Sequence, residues 1–323
     1  MRVIDTFQTE NNIDGDYFLN PKVCPTTAGY LVAWEQYNTR LWIACYNGDS
    51  LEQRISIDVE SADILFFKYY DIGIYLLANN VLNGVDLYFI STHGQVIGTY
   101  KYKTIHTLLD FYSEGNGVYF FEYNHEFETL YVQHTESNWN KSTNVATFIN
   151  VYDEPDIYMN GQDFLMIWMD QQNYVRVARA FIGTESTAKL VEVRQTDGGQ
   201  LVSAVYENIV MFGTCYKDEF VIQFYDFNSG ALSNTISYKC DDYSRSELKL
   251  SVYDGLFMLM IDNDYTTEFR YFNKYGEMVE NEGDDPYVEC DGEAIYWEID
   301  TGCKKDELAI CGVVDLSMTF TMF

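Results

Sequence analysis

The sequence predicts an all-β chain assembled from seven copies of one four-stranded antiparallel unit. Three observations predict it: an apolar octet recurs at near-constant spacing, strand-favouring aromatics are abundant while proline is scarce, and glycine turns fall where hairpins need them. The octets are GYLVAWEQ from Gly29, GIYLLANN from Gly73, GVYFFEYN from Gly117, DFLMIWMD from Asp163, NIVMFGTC from Asn208, GLFMLMID from Gly255 and EAIYWEID from Glu293. Their starts are separated by 44, 44, 46, 45, 47 and 38 residues. Each opens on a turn-type or polar residue, carries four apolar residues in succession and, in all but one copy, closes on a polar one. Consecutive apolar residues in a strand mean that both faces are covered, so each octet belongs inside a sheet packed between two other layers.

Three further strand-like runs surround each octet. In the first unit NPKVC precedes it, and RLWIACY and LEQRISIDV follow. The link between the third and fourth runs carries a glycine turn in YNGDS, STHGQ, DFNSGA and NKYGE. No segment sustains a 3.6-residue period with caps, which excludes a helical reading. Four antiparallel strands in about 45 residues are the dimensions of a propeller blade. Over its whole length the chain resembles seven-bladed β-propellers as an architecture. The resemblance implies one domain over 1–323, with blades at 17–60, 61–105, 106–150, 151–195, 196–240, 241–284 and 285–323. Residues 1–16 are then a ring-closing strand, because RVIDTFQTE aligns with last-strand segments such as EQRISIDVE and precedes any complete unit. The C-terminal MTFTMF is either the seventh blade's own outer strand or the neighbour of the N-terminal one. The GH…WD signature of WD40 repeats, the kelch double glycine and the D-x-[DN]-x-[DN]-G calcium loop are all missing from the sequence.

Composition narrows the function classes. The chain has 323 residues, 47% hydrophobic and 17% aromatic, with 28 Tyr, 21 Phe and 4 Pro, which is ample material for a large core. No apolar stretch approaches the roughly 18 residues of a membrane-spanning helix. The start, MRVIDTFQTENNIDGD, has no apolar signal region. Seven cysteines cannot all pair within one chain, and their spacing holds no zinc pattern. Reduced thiols in a cytoplasmic protein are therefore expected, a mature secreted form being the alternative. The net charge of −30 argues against nucleic acid and anionic membranes as partners and favours basic proteins or divalent cations. The same charge also keeps an aromatic-rich β protein from pairing through its strand edges.

The likeness to propellers implies that the loops between second and third strands share a face with the loops between blades, and that this face holds any ligand. The former loops read EQYNTR, NNVLNGVD, EYNHEFET, DQQNY, CYKDEF, DNDYTT and DTGCKKDE. Aligning the octets brings Gln36, Asn80, Asn124, Asp170, Cys215, Asp262 and Asp300 to one position, with Tyr37 beside the first. Six of the seven are amide or carboxylate residues, and such a ring of oxygens would suit calcium or a polyhydroxylated ligand. The competing explanation is that Asx-type side chains accept backbone N–H groups where a strand turns.

The aromatics divide in the same way. Trp34 and Trp168 share the sixth octet position and read as packing between blades, with Trp297 one position earlier. Trp139, in TESNWNKST, is a loop tryptophan suited to stacking on a sugar. Catalytic candidates are sparse: His125 stands beside Glu122, Glu126 and Glu128 and is the best available general base, with Glu122 as the other catalytic candidate. No nucleophile elbow, zinc-protease motif, P-loop or dinucleotide fingerprint occurs. The expected function is a non-enzymatic binding or assembly module presenting polar loops to a protein partner of basic character, without a cofactor. The alternative is a carbohydrate-binding or carbohydrate-active propeller: a lectin, glycosidase or lyase.

Overall fold

The computed structural model describes residues 2–7, 18–26, 29–36, 40–47, 50–59, 64–70, 73–80, 84–114, 117–136, 142–151, 154–182, 189–196, 200–216, 219–239, 247–253, 255–263, 266–279, 294–301, 308–314 and 317–322. All regular structure among them is β, in seven antiparallel sheets. The chain enters through β1 (Arg2–Phe7), whose partners come from the other terminus. Sheet one follows with β2 (Phe18–Pro25), β3 (Tyr30–Gln36), β4 (Arg40–Asn47) and β5 (Ser50–Asp58). Sheet two contains β6 (Ile64–Tyr70), β7 (Gly73–Asn80), β8 (Gly84–Ile90) and β9 (Val96–Tyr102). Sheet three contains β10 (Thr107–Glu114), β11 (Gly117–Asn124), β12 (Thr129–Glu136) and β13 (Ser142–Ile149). Sheet four is β14 (Asp156–Asn160), β15 (Asp163–Met169), β16 (Tyr174–Phe181) and β17 (Lys189–Gln195).

Sheet five has β18 (Leu201–Tyr206), β19 (Ile209–Tyr216) and β20 (Glu219–Asp226), and its outer strand is broken into β21 (Ala231–Leu232) and β22 (Ile236–Lys239), both paired to β20. Sheet six is β23 (Glu247–Tyr253), β24 (Leu256–Asn263), β25 (Thr266–Phe272) and β26 (Met278–Val279). Sheet seven joins the termini, in the order β27 (Ala294–Thr301), β28 (Leu308–Val314), β29 (Ser317–Met322) and β1. MTFTMF thus lies beside the N-terminal strand, with Thr6 opposite Thr319.

The octets are the second strands of sheets one to six, as the repeat predicts. The seventh differs. Among the described residues β27 has a strand neighbour on one side only, and its ladder is irregular near its start, between Ala294 and Tyr296. The first strands β2, β6 and β10 are irregular at the same place. The spacing of 38 residues before this octet reflects that difference, since this sheet draws strands from both ends of the chain.

Residues 1–103, 251–271 and 279–323 form one unit, and 104–250 with 272–278 another. In the first, a core of Cys24, Leu31, Ala33, Ile43, Leu76 and Ile90 fills the space between sheets one and two. The Glu35 carboxylate accepts the N–H of Ile64 at 2.6 Å, tying β3 to the start of β6.

The second unit shows why an octet needs consecutive apolar residues. In β15, Phe164, Met166 and Trp168 pack with Phe121, Tyr123 and Phe148 of sheet three. The alternate residues Leu165 and Ile167 pack with Val210, Phe212 and Tyr225 of sheet five. Each fully buried side chain of this kind contributes about 1.5–3 kcal/mol. Trp168 is therefore packing between sheets, and its positional twin Trp34 is likewise buried, stacked on Trp42 at 6.1 Å. Side-chain amides join successive first strands: Gln200 donates to Leu248 O at 3.0 Å and accepts its N–H at 2.9 Å.

Three of the four glycine turns, at Gly94, Gly230 and Gly276, close outer hairpins as expected, while Gly48 of YNGDS lies outside the described residues. Gly94 in STHGQ and Gly276 in NKYGE have φ of +78° and +85°, conformations that a Cβ disfavours. Each donates its N–H three residues back, to Ser91 O and Asn273 O.

Candidate functional site

Of the seven loops between second and third strands, the structure describes two completely, at the ends of β11 and β15. Tyr37 lies outside the described residues, as does Trp139. The side chains of Gln36, Asn80, Cys215, Asp262 and Asp300 lie outside them too, although their backbones sit at the ends of their strands. Because β27 takes the edge place in its sheet, Asp300 does not share the sheet position of Asn124 and Asp170.

At the β11 end, Asn124 Oδ1 accepts the N–H groups of Glu126 at 2.9 Å and Phe127 at 3.3 Å. At the β15 end, Asp170 Oδ1 accepts those of Gln172 at 2.9 Å and Tyr174 at 3.0 Å. Its Oδ2 meets Arg176 Nε at 2.6 Å. Burial pushes the Asp170 carboxyl up, but the Tyr174 N–H, Arg176 and the Gln172 N–H together hold it below the ordinary carboxylate range. Both oxygens thus close their own turns. The same device appears at outer hairpins, where Asp226 accepts from Asn228 and Ser229, and Asn273 from Tyr275 and Glu277.

His125 stands exposed on the β11–β12 turn. Its Nε2 lies 2.9 Å from Thr107 Oγ1 and 3.1 Å from Glu154 Oε1. Its ring edge meets the Tyr123 ring at 4.9 Å. Glu122, the other catalytic candidate, is buried in β11, opposite Leu108 and Tyr131. A hydroxyl, an imidazole and a carboxylate are brought together, yet one nitrogen meets both oxygens. A nucleophile–base relay divides those roles between the two ring nitrogens, whereas here one nitrogen meets both oxygens and ties the turn to Thr107 and Glu154. Glu154 lies in the connection between sheets three and four. The rule that such connections share a face with the hairpin tips was the sequence signal for it.

A second polar cluster joins the first strands of sheets three to five. Tyr158 donates its hydroxyl to Ser203 Oγ at 2.7 Å, and the Ser203 hydroxyl bonds the Asp156 carboxylate. Water reaches Asp156, yet strands crowd it from the sides, and it lies near enough to Asp110 for their charges to interact. Burial pushes its carboxyl up, Ser203 pulls it partly back, and the charge of Asp110 pushes it up again. Burial raises Tyr158 as well. Nothing in the local pattern of β10, β14 or β18 announced this chain of donors.

The chain is similar to a chain in the crystal structure of the mitotic checkpoint complex, at 14% identity and a TM-score of 0.61, covering 98% of this chain and 90% of that one. It is similar to the Dos1 propeller at 10% identity and a TM-score of 0.58, covering 99% and 94%. The fold is a β-propeller. A third propeller-like match is Kluyveromyces lactis Hsv2, at 11% identity and a TM-score of 0.55, covering 92% and 90%. At these identities the likeness is one of fold. No family model matches the chain, and neither does any curated protein. Among the described residues of this propeller, no helix is long and apolar enough to cross a membrane, and no three His, Cys, Asp or Glu side chains gather as metal ligands.

Proposed function

We propose that this propeller is a binding and assembly module that presents its hairpin tips to a protein partner of basic character. The observation that carries the reading is the engagement of Asn124 and Asp170 by their own turns. Oxygens that would have served a cation or a sugar hydroxyl are held by backbone donors, which favours recognition by surface over capture of a small ligand. The net charge of −30 supplies long-range attraction for Lys- and Arg-rich surfaces, speeding encounter and selecting against acidic partners. The neighbour drawn from the mitotic checkpoint complex belongs to an assembly by its name, and it supports the reading as an example of what the fold accommodates.

The test is a glycan array and a protein array probed with the same labelled chain, alongside melting scans with and without calcium. The expected result is saturable binding to proteins of high isoelectric point, weakened by salt, with no defined sugar bound and no calcium-dependent rise in Tm. Binding to a defined glycan, or a rise of several degrees with calcium, overturns it.

A further inference from the structure

Eleven large apolar side chains are exposed among the described residues, and most are scattered singly, as on any protein surface. Three gather at one end of sheet three. Ile105 is 92% exposed in the connection before β10, Phe127 is 64% exposed on the β11–β12 turn, and Ile149 is 71% exposed as the last residue of β13. Register and hydrogen bonds hold the three at the same end. Ile149 pairs with Thr129, whose hydroxyl donates to Phe127 O at 2.8 Å. Val151 N donates to Glu128 O at 3.0 Å, drawing the end of β13 to the turn. On the other side, Thr107, two residues after Ile105, meets His125 on that turn. Asn124 holds the backbone of Phe127 in place through its N–H. The turn is thus rigidly built, although its apolar side chains face water.

Carboxylates lie at the same end of the sheet. Glu126 and Glu154 are exposed and Glu128 is half-buried, against one lysine, Lys103, two residues before Ile105. An exposed apolar group accompanied by carboxylates is the complement of a segment that alternates basic and apolar residues. A second copy of this chain does not fit, since two molecules of charge −30 repel.

We infer that this end of sheet three, which carries Ile105, Phe127 and Ile149 together with Glu126, Glu128 and Glu154, is the docking surface for a short basic–apolar peptide segment of another protein. The inference rests on the protein-binding reading and gives it a location and a partner chemistry. The three apolar side chains supply contact area, and the carboxylates select Lys or Arg at the alternate positions.

The test uses the full chain and three fluorescein-labelled 12-residue peptides, alternating Lys with Leu, Lys with Ser, and Glu with Leu. The Lys–Leu peptide is expected to bind with a Kd at least tenfold below the other two. The triple substitution Ile105→Ser, Phe127→Ser, Ile149→Ser is expected to weaken it at least tenfold while Tm stays unchanged, because all three side chains are exposed. Glu126→Lys with Glu154→Lys is expected to weaken it by a similar factor and to flatten its salt dependence. Equal binding of the Lys–Ser peptide reduces the effect to bulk charge and overturns the inference, as does absence of Lys–Leu binding. Lys–Leu binding unchanged in the triple-serine variant overturns this surface while leaving a protein-binding propeller intact. The array experiment reads that broader function separately.

Discussion

Asp170 and Arg176 form a 2.6 Å ion pair across the tip of the β15–β16 hairpin, with the Asp170 side chain 2% exposed and that of Arg176 26%. The pair is the end of a network in which one carboxylate also accepts two backbone N–H groups, so the turn and the charge are held by the same residue. Asp170→Ala should therefore cost about 2–3 kcal/mol at neutral pH, as charge-assisted bonds to a buried acceptor do. The carboxyl is held below its ordinary range in the fold, so its stabilisation is present above the unfolded value of about 4 and is lost as pH falls through the lower folded value. Denaturant titrations of both proteins between pH 7 and pH 2 should show the gap closing at the acid end. A gap that stays constant with pH would contradict this account.

Asp156 behaves in the opposite direction. Its carboxyl is raised by burial and by Asp110, so ionisation opposes folding. The native state binds its proton more tightly than the unfolded chain does, and the penalty disappears as pH falls from above the folded value towards the unfolded one. Asp156→Asn should raise Tm at pH 7 and have a smaller effect near pH 4, while the amide keeps an acceptor for Ser203. Thermal melts at the two pH values check the sign.

Cys45 is buried beneath the outer hairpin of sheet two, with Sγ 3.6 Å from Thr92 O. Burial, then the charge of Glu52, pushes its thiol up to about 11. Cys24 is also a buried thiol. Neither should react with a disulfide reagent at pH 8 in the native protein, and both should react on addition of denaturant. Peptide mapping of the labelled sites distinguishes them from the other five cysteines.

Phe164 has no exposed surface and meets Phe121 and Phe148 edge-on at 5.4 and 5.2 Å. Phe164→Ala should cost about 3–5 kcal/mol by opening a cavity between sheets three and four. The loss is read as a shift in the denaturant midpoint at unchanged m.

Much of the fold was legible because a repeat writes the same physics several times. The run Phe164 to Trp168 had to be a strand covered on both faces, and the structure divides its residues between two different cores. Gly94 and Gly276 marked outer hairpins because few other residues take positive φ. At the candidate site the same local reading reached Asn124 and Asp170, whose contacts lie within a few residues. It listed Glu122, Glu126 and Glu128 beside His125 but not Glu154, which the fold brings to 3.1 Å from the next connection. Because β11 is covered on both faces, Glu122 is buried along with its neighbours, while the turn leaves His125 exposed.

By itself the sequence determined the strand content, the sheet repeat, the place of the first six octets as second strands and the turn chemistry, since these follow from side-chain periodicity and backbone preference over short spans. Only the tertiary structure decided which groups separated by tens of residues meet. Tyr158 reaches Ser203, and Ile105 shares an end of sheet three with Phe127 and Ile149. Those relationships arise from the stacking and register of whole sheets, which no local pattern of apolar and polar residues records.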